Sequence, residues 1–256
     1  MPGLNDASDK SDDVLTPRPL RPSEGWGVLH LFYRLPRSHL DRDAVLSAAQ
    51  IAIDAHCQIV SVALLGHKAD LGIVALGEDW SVLRTLQTAL AATGLDLVSS
   101  YLSLTEISEY AQGIPPEMKK IRVYPELPPD GKRAFCFYPM SKRRVGTDNW
   151  YLLEFEERKR LMIGHGNVGR LFQGRIVQVI TGSTGIDDWE WGVTLFGVHP
   201  DDLKDCVYQM RFDEASARYA EFGPFYTGIV DDLDIVLAQL SRDSIAGNSK
   251  VPRGTT

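Results

Sequence analysis

The chain has 256 residues, 44% of them hydrophobic, and a formal net charge of -7. That is enough apolar material for the core of one large domain or of two small fused ones. The acidic balance argues against a general nucleic-acid binder, which carries a basic face, but leaves room for a local cationic cluster that holds a small anion.

The first residues, MPGLNDASDKSDD, are polar and acidic. They have neither the basic start nor the apolar core of a secretory signal or transit peptide. No apolar run reaches the length of a membrane span. Three widely spaced cysteines, Cys57, Cys136 and Cys206, form no CxxC pair. Together these features predict buried free thiols in a reducing compartment, and hence a cytoplasmic protein. Residues 1–23 and 241–256 are expected to be disordered tails.

In between, hydrophobic patterning predicts a strand at 27–35, a helix at 40–56, strands at 59–65 and 71–76, a helix at 80–92 and a strand at 97–104. In the second helix Leu83, Leu86 and Leu90 share a face, and Gly94 is a natural stop. The connector 109–132 carries Pro115, Pro116, Pro125, Pro128 and Pro129. It should be extended, and cannot be helical throughout. The pattern then repeats. A strand at 134–140 precedes a helix from Glu154 to about Ile163, closed by Gly164 and Gly166. Strands at 175–181 and 190–196 flank the turn-rich GSTGIDD. A helix from Pro200 to Phe212, a strand at 225–230 and a last helix at 232–240 complete the set. Two βαββαβ units in tandem predict an α+β fold of two ferredoxin-like halves, residues 24–108 and 133–240, that bury their open sheet faces on each other as a dimeric α+β barrel.

Four stretches could carry chemistry. In FYPMSKRR, residues 137–144, a strand ends in Tyr138 and Pro139, and Lys142, Arg143 and Arg144 follow. It is either a solvated strand end or a phenol beside an anion-binding edge. In RKRLMIGHGNVGR, His165 follows Leu161 and Met162 at helical spacing and lies between two glycines. Such a histidine is commonly a satisfied core residue; it can also be a single axial ligand to haem iron. Gln178 interrupts an aliphatic strand and needs a partner or a task. Trp189 and Trp191 alternate with Glu190, which predicts both rings on one side of the sheet. The fourth stretch, MRFDEASARYAEFGPF, leaves a helix with mixed charges and one small polar residue, Ser216.

Taken together, FYPMSKRR, the NWY at Asn149–Tyr151, the GHG around His165, ITGSTGIDDWEWGVTLF and MRFDEASARYAEFG resemble the chlorite dismutase-like family. More narrowly they are similar to its bacterial coprohaem decarboxylases. The match covers nearly all of 133–227; the first half is similar mainly in its element pattern and in GHKADLG at 66–72. The resemblance implies that His165 is the axial iron ligand, that Tyr138 is the redox-active tyrosine, and that Pro139, Met140, Ser141 and Lys142 form a propionate-binding edge. It likewise implies that Arg122 and Ser216 contact propionates and that Trp150 stands beside the reacting edge. Gln178 occupies the position where chlorite dismutases place an arginine that holds an anionic oxidant.

The activity so implied is hydrogen peroxide-dependent oxidative decarboxylation of two propionates of Fe-coproporphyrin III (coprohaem) to give haem b. Tyr138 would pass through a tyrosyl radical, and Lys142 would position the carboxylate or manage its proton. The family also implies a homopentamer and a transient contact with a ferrochelatase. Two rivals are a chlorite dismutase or haem peroxidase using bound haem b, and a non-enzymatic haem-binding protein. Gln178 counts against the first, and the retention of both Tyr138 and Lys142 against the second.

Overall fold

The computed structural model describes residues 17–36, 40–111 and 113–240. The first half runs β1 (Gly27–Arg34), α1 (Arg42–Asp54), β2 (Gln58–Leu65), β3 (Leu71–Gly77), α2 (Trp80–Ala92) and β4 (Asp96–Thr105). The connector holds a short helix, α3 (Pro116–Val123). The second half runs β5 (Ala134–Lys142), a small hairpin of β6 (Arg144–Val145) and β7 (Asp148–Asn149), then α4 (Phe155–Arg170), β8 (Ile176–Gly182) and β9 (Trp191–Gly197). It ends with α5 (Pro200–Met210), α6 (Glu214–Tyr219), β10 (Ala220–Phe222), β11 (Tyr226–Asp231) and α7 (Leu233–Leu240).

Local chemistry sets several of these boundaries. The Asp41 carboxylate caps α1 by accepting from the Ala44 amide, and Asp79 caps α2 through the Ser81 amide. Gly94, at φ +90°, lets the chain leave the end of α2 in a conformation costly for other residues.

All strands but the small hairpin join one sheet in the order β10-β5-β11-β2-β3-β1-β4-β8-β9, and β9 pairs back onto β5. The sheet is therefore closed into a ring, with β10 added along the end of β5. Each half contributes its strands in the same order: fourth, first, third, second. The halves meet at two seams. Thr227–Asp231 of β11 pairs with Leu65–Ser61 of β2. The β4–β8 seam is shorter, with Leu104 opposite Gly182 and Thr105 opposite Thr181.

Period-two alternation divides the core into layers. Val28, Phe32, Val62, Phe135, Phe137 and Phe196 fill the barrel interior. Leu29, Leu31 and Tyr33 of β1 point the other way and pack under α1, α2 and α7, with Val236 and Leu237 fully buried. In the second half the outward residues Cys136, Tyr138, Val193 and Leu195 face α5. That outer layer holds Tyr138, the tyrosine singled out in the sequence.

The structure departs from the sequence expectations in four places. Helix α4 does not stop at Gly164 and Gly166 but runs through both to Arg170. Each interior glycine costs about 1 kcal/mol against alanine, and tertiary anchoring of the helix outweighs that cost. The connector is not extended throughout, since Pro116 sits in the first turn of α3, where its missing N–H is harmless. Trp189 and Trp191 do not share a side, because β9 begins only at Trp191: Trp189 packs on the barrel-interior cluster, while the Trp191 indole lies against Glu106. Residues 17–23 are docked at Leu20, whose amide donates to Asp79 Oδ1 and whose carbonyl accepts from the Trp80 amide. The expected tail regions 1–16 and 241–256 lie outside the described residues. Cys57, Cys136 and Cys206 are free and buried. Among the described residues, no helix is long and apolar enough to cross a membrane.

Candidate active site

The outer layer of the second half lies between the β5–β9–β8 face and helices α4, α5 and α6. Tyr138, Met140 and Lys142 alternate onto the same face of β5 as Cys136. On β8, Val177 and Val179 point into the barrel, so Gln178 points to the helices with Ile176. Gln178 Nε2 donates to Cys206 Sγ at 3.5 Å.

His165 projects from α4 toward the start of α6. Its Nδ1 lies 3.0 Å from Asp213 Oδ2 and 3.3 Å from Ser216 Oγ. Asp213 is itself fixed: its other oxygen accepts from the Ser216 amide and caps α6. Burial raises the Asp213 carboxyl, but hydrogen bonds from His165 and Ser216 outweigh this and hold it below the usual carboxylate range. An anion on Nδ1 keeps the ring proton there and leaves the Nε2 lone pair for a metal. Gly164 and Gly166 flank His165 in the chain, and a Cβ at either would meet no atom within 4 Å beyond its chain neighbours and the backbone of its own helix.

Lys142 is a buried cation. Its Nζ donates to the Ala215 carbonyl at 3.2 Å and lies 4.3 Å from the Trp150 ring centroid. Its backbone amide donates to Glu190 Oε2 at 2.7 Å. Burial pulls the Lys142 amine down to about 8, while Asp213 and Glu190 partly restore it. It therefore stays largely protonated at neutral pH and suits a carboxylate. Trp150, in a single 3-10 turn of residues 150–152, is fixed edge-on to Tyr219 and clusters with Leu161 and Ala215.

Tyr138 is buried with its ring stacked on Phe225 at 4.5 Å. Burial first, and then the neighbouring Cys136 and Cys206 thiols, push the phenol above its ordinary range, with Arg211 opposing. It is a neutral phenol at any physiological pH. Such a group gives up an electron only together with its proton.

The structure thus brings together Tyr138, Lys142, Trp150, His165, Gln178 and Ser216 around one layer. Ser216 bonds the imidazole itself. Pro139 and Met140 already spend their carbonyls on the Gly223 and Glu190 amides, and Ser141 Oγ accepts from Glu190. Arg122 is exposed on α3 and, among the described residues, makes no hydrogen bond or ion pair with this group. Sequence reading missed Asp213 and Glu190. For Asp213 the signal was present, in the cap-type spacing of Asp213 and Ser216 that opens a short helix. Glu190 gave none, because its role depends on β9 lying beside β5.

Among the described residues, no three His, Cys, Asp or Glu groups gather to hold a metal ion. A metal at His165 would bring most of its own ligands, as an iron porphyrin does. The donor set fits one: a single oriented imidazole, open space over two glycines, and a buried cation for a carboxylate. A cavity of about 450 Å³ lies elsewhere, between α1, the 128–133 loop and the start of α7. Its lining has no histidine or tyrosine.

Residues 41–230 match the chlorite dismutase family, and the chain belongs to it. The coproheme decarboxylase of Staphylococcus carnosus is 41% identical to this chain over 231 residues, which span 81% of this chain and 92% of that protein. A putative heme-binding protein of Natronomonas pharaonis is 39% identical over 80% of this chain, but the match spans only 39% of that longer protein. Among solved structures, a heme-binding protein of Thermus thermophilus superposes with a TM-score of 0.77 at 38% identity, over 87% of this chain and 99% of that one.

Proposed function

We infer that this chain is a coprohaem decarboxylase, converting Fe-coproporphyrin III to haem b with hydrogen peroxide as oxidant. The observation that carries this reading is the placement of a neutral buried phenol and a buried ammonium, Tyr138 and Lys142, on one face of β5 in the layer that His165 borders. About 40% identity over most of the length to a protein named coproheme decarboxylase supports it. Oxygen release from chlorite is the less favoured reading, since Gln178 cannot offer the fixed positive charge that would hold an anionic oxidant.

The iron porphyrin is both substrate and redox group, and supplies the oxidising power once peroxide reaches it. His165 Nε2 holds the iron, with Asp213 fixing the ring. Lys142 takes the carboxylate of the reacting propionate and sets its side chain against Tyr138. Tyr138 loses an electron and its proton, then takes a hydrogen atom from the propionate. Loss of one further electron releases carbon dioxide and leaves a vinyl group. Two such rounds consume two peroxides. Arg122 and the Pro139–Ser141 edge are proposed to serve the remaining propionates. The active unit is proposed to be a homo-oligomer, a pentamer by family resemblance.

The test is mass spectrometry of the porphyrin after peroxide is added to the coprohaem-loaded protein. Wild type should yield haem b. Tyr138→Phe keeps the ring volume, so it should bind coprohaem and fail to decarboxylate it. Haem b formation by Tyr138→Phe at the wild-type rate would overturn the radical mechanism.

A further inference from the structure

We propose that Trp150 and Tyr110 form an exit for surplus oxidising equivalents, with Tyr110 as the terminal radical and Glu109 as the acceptor of its phenolic proton. This rests on the reading above, in which peroxide oxidises a porphyrin bound at His165. After both propionates have reacted, product haem b is still open to peroxide. Oxidising equivalents generated then have no substrate and must leave or damage the site.

Trp150 is buried beside the site, under Lys142. Two phenols touch its ring edge-on: Tyr219 at 5.4 Å between centroids and Tyr110 at 6.4 Å. They differ in what surrounds the oxygen. A phenol that loses an electron becomes a strong acid and must pass its proton to a base. Tyr219 is buried, has the Arg218 guanidinium 5.0 Å over its ring, and has no hydrogen-bond partner for its hydroxyl among the described residues. Tyr110 has one within reach. Glu109 is the preceding residue in the chain, and one guanidinium, that of Arg158, reaches both its carboxylate and the Tyr110 hydroxyl. Arg158 Nε donates to the Tyr110 hydroxyl at 2.9 Å, and its Nη2 stands 3.7 Å from Glu109 Oε1. Arg158 is in turn anchored by the Leu153 carbonyl at 2.7 Å. The Glu109 side chain is 52% exposed, so a proton it receives goes on to water.

The step balances. One electron passes from Tyr110 by way of the Trp150 ring to the oxidised site, and one proton moves from the Tyr110 hydroxyl to Glu109. A neutral tyrosyl radical and a protonated carboxyl remain. A one-electron reductant from solution, such as a thiol or ascorbate, restores Tyr110, which is only partly buried. A peroxide delivers two equivalents, so complete discharge takes two passes. The Lys142 ammonium over Trp150 opposes positive charge on that ring. The exit is thereby slower than hydrogen transfer at Tyr138 and competes only when the propionates are gone. No protein carboxylate bonds the Tyr138 hydroxyl among the described residues, which keeps that phenol for hydrogen exchange with substrate.

The experiment uses the full chain loaded with haem b, treated with hydrogen peroxide in the presence of a nitroso spin trap, followed by peptide mass mapping. A trap adduct on Tyr110 is expected in wild type. It should disappear in Trp150→Phe, fall in Glu109→Gln and persist in Tyr219→Phe. Tyr110→Phe should leave coprohaem decarboxylation unchanged but lose more porphyrin absorbance per peroxide once haem b is bound. Absence of a Tyr110 adduct in wild type overturns the proposal, and so does an undiminished adduct in Trp150→Phe. Porphyrin masses from coprohaem-loaded wild type separate the two readings. Decarboxylation without the adduct sinks the exit alone, whereas failure to decarboxylate sinks the assigned reaction.

Discussion

Two buried charges decide how the site behaves, and neither touches solvent freely. Asp213 orients His165 and caps α6 with its two oxygens. Asparagine also caps helices well, so Asp213→Asn should fold. It removes the anion that fixes the Nδ1 proton, and partners of this kind are worth roughly 10–100-fold in metal affinity. The expected outcome is weaker coprohaem binding in a spectroscopic titration and a lower iron–histidine stretching frequency. Unchanged values would show that Asp213 is only a cap. Lys142 carries the opposite burden. Its folded value is about 8, against an ordinary 10.5. Between these values the unfolded chain binds more protons than the folded one, so this group's contribution to stability rises with pH. The gain is about 3 kcal/mol over the whole window; below pH 8 the burial cost is fully present. The buried thiols of Cys57, Cys136 and Cys206, raised to about 11, work the other way in the same window. The test is therefore a difference: from pH 7.5 to 10 the denaturant stability of ligand-free wild type should rise relative to that of Lys142→Met, and a constant difference would contradict the assignment. At this scale the sequence was legible where one residue type suffices. His165, Tyr138 and Lys142 stand out by context, whereas Asp213 and Glu190 matter through partners 48 residues away in the chain.

The elements show what periodicity can and cannot tell. Alternation on β5 divides Phe135 and Phe137 from Cys136 and Tyr138, and so predicts a two-faced strand. Helix α4 ran past its expected end because glycine reads as a stop when only local propensity is weighed. What sustains the helix is not local: His165 reaches Asp213 and Arg158 reaches Tyr110, each 48 residues away in the chain. The two glycines are therefore kept at a cost. In Gly164→Ala/Gly166→Ala the new methyls meet no atom of another element within 4 Å. The ligand-free double variant should gain about 1–2 kcal/mol from helix propensity. The same methyls would stand next to His165, where the proposed function places the porphyrin, so coprohaem affinity should fall. A thermal melt and a binding titration read the two effects separately. Higher stability with undiminished affinity would show that the glycines do not provide clearance.

At the scale of the whole molecule the repeat and the barrel of two halves were legible, and the strand register that closes the barrel was not. Tandem βαββαβ patterning implies two halves, but the pairing of β9 back onto β5 and the unequal seams belong to three-dimensional register. Assembly leaves still less trace, because ring interfaces have no simple sequence signature. The proposed homo-oligomer is checked by sedimentation: a symmetric species larger than one chain is expected at micromolar concentration, and a monomer would contradict it. One further consequence comes from α7. This last helix places Val236 and Leu237, both fully buried, in the core under α1 and α2. A nascent chain leaving the ribosome has the whole first half in hand long before α7 emerges. Until then that half lacks its closing apolar layer, and the edge of β2 lacks β11. Vectorial synthesis therefore cannot bank the first half as a finished unit. The two halves must reach their native state together, after α7 has emerged.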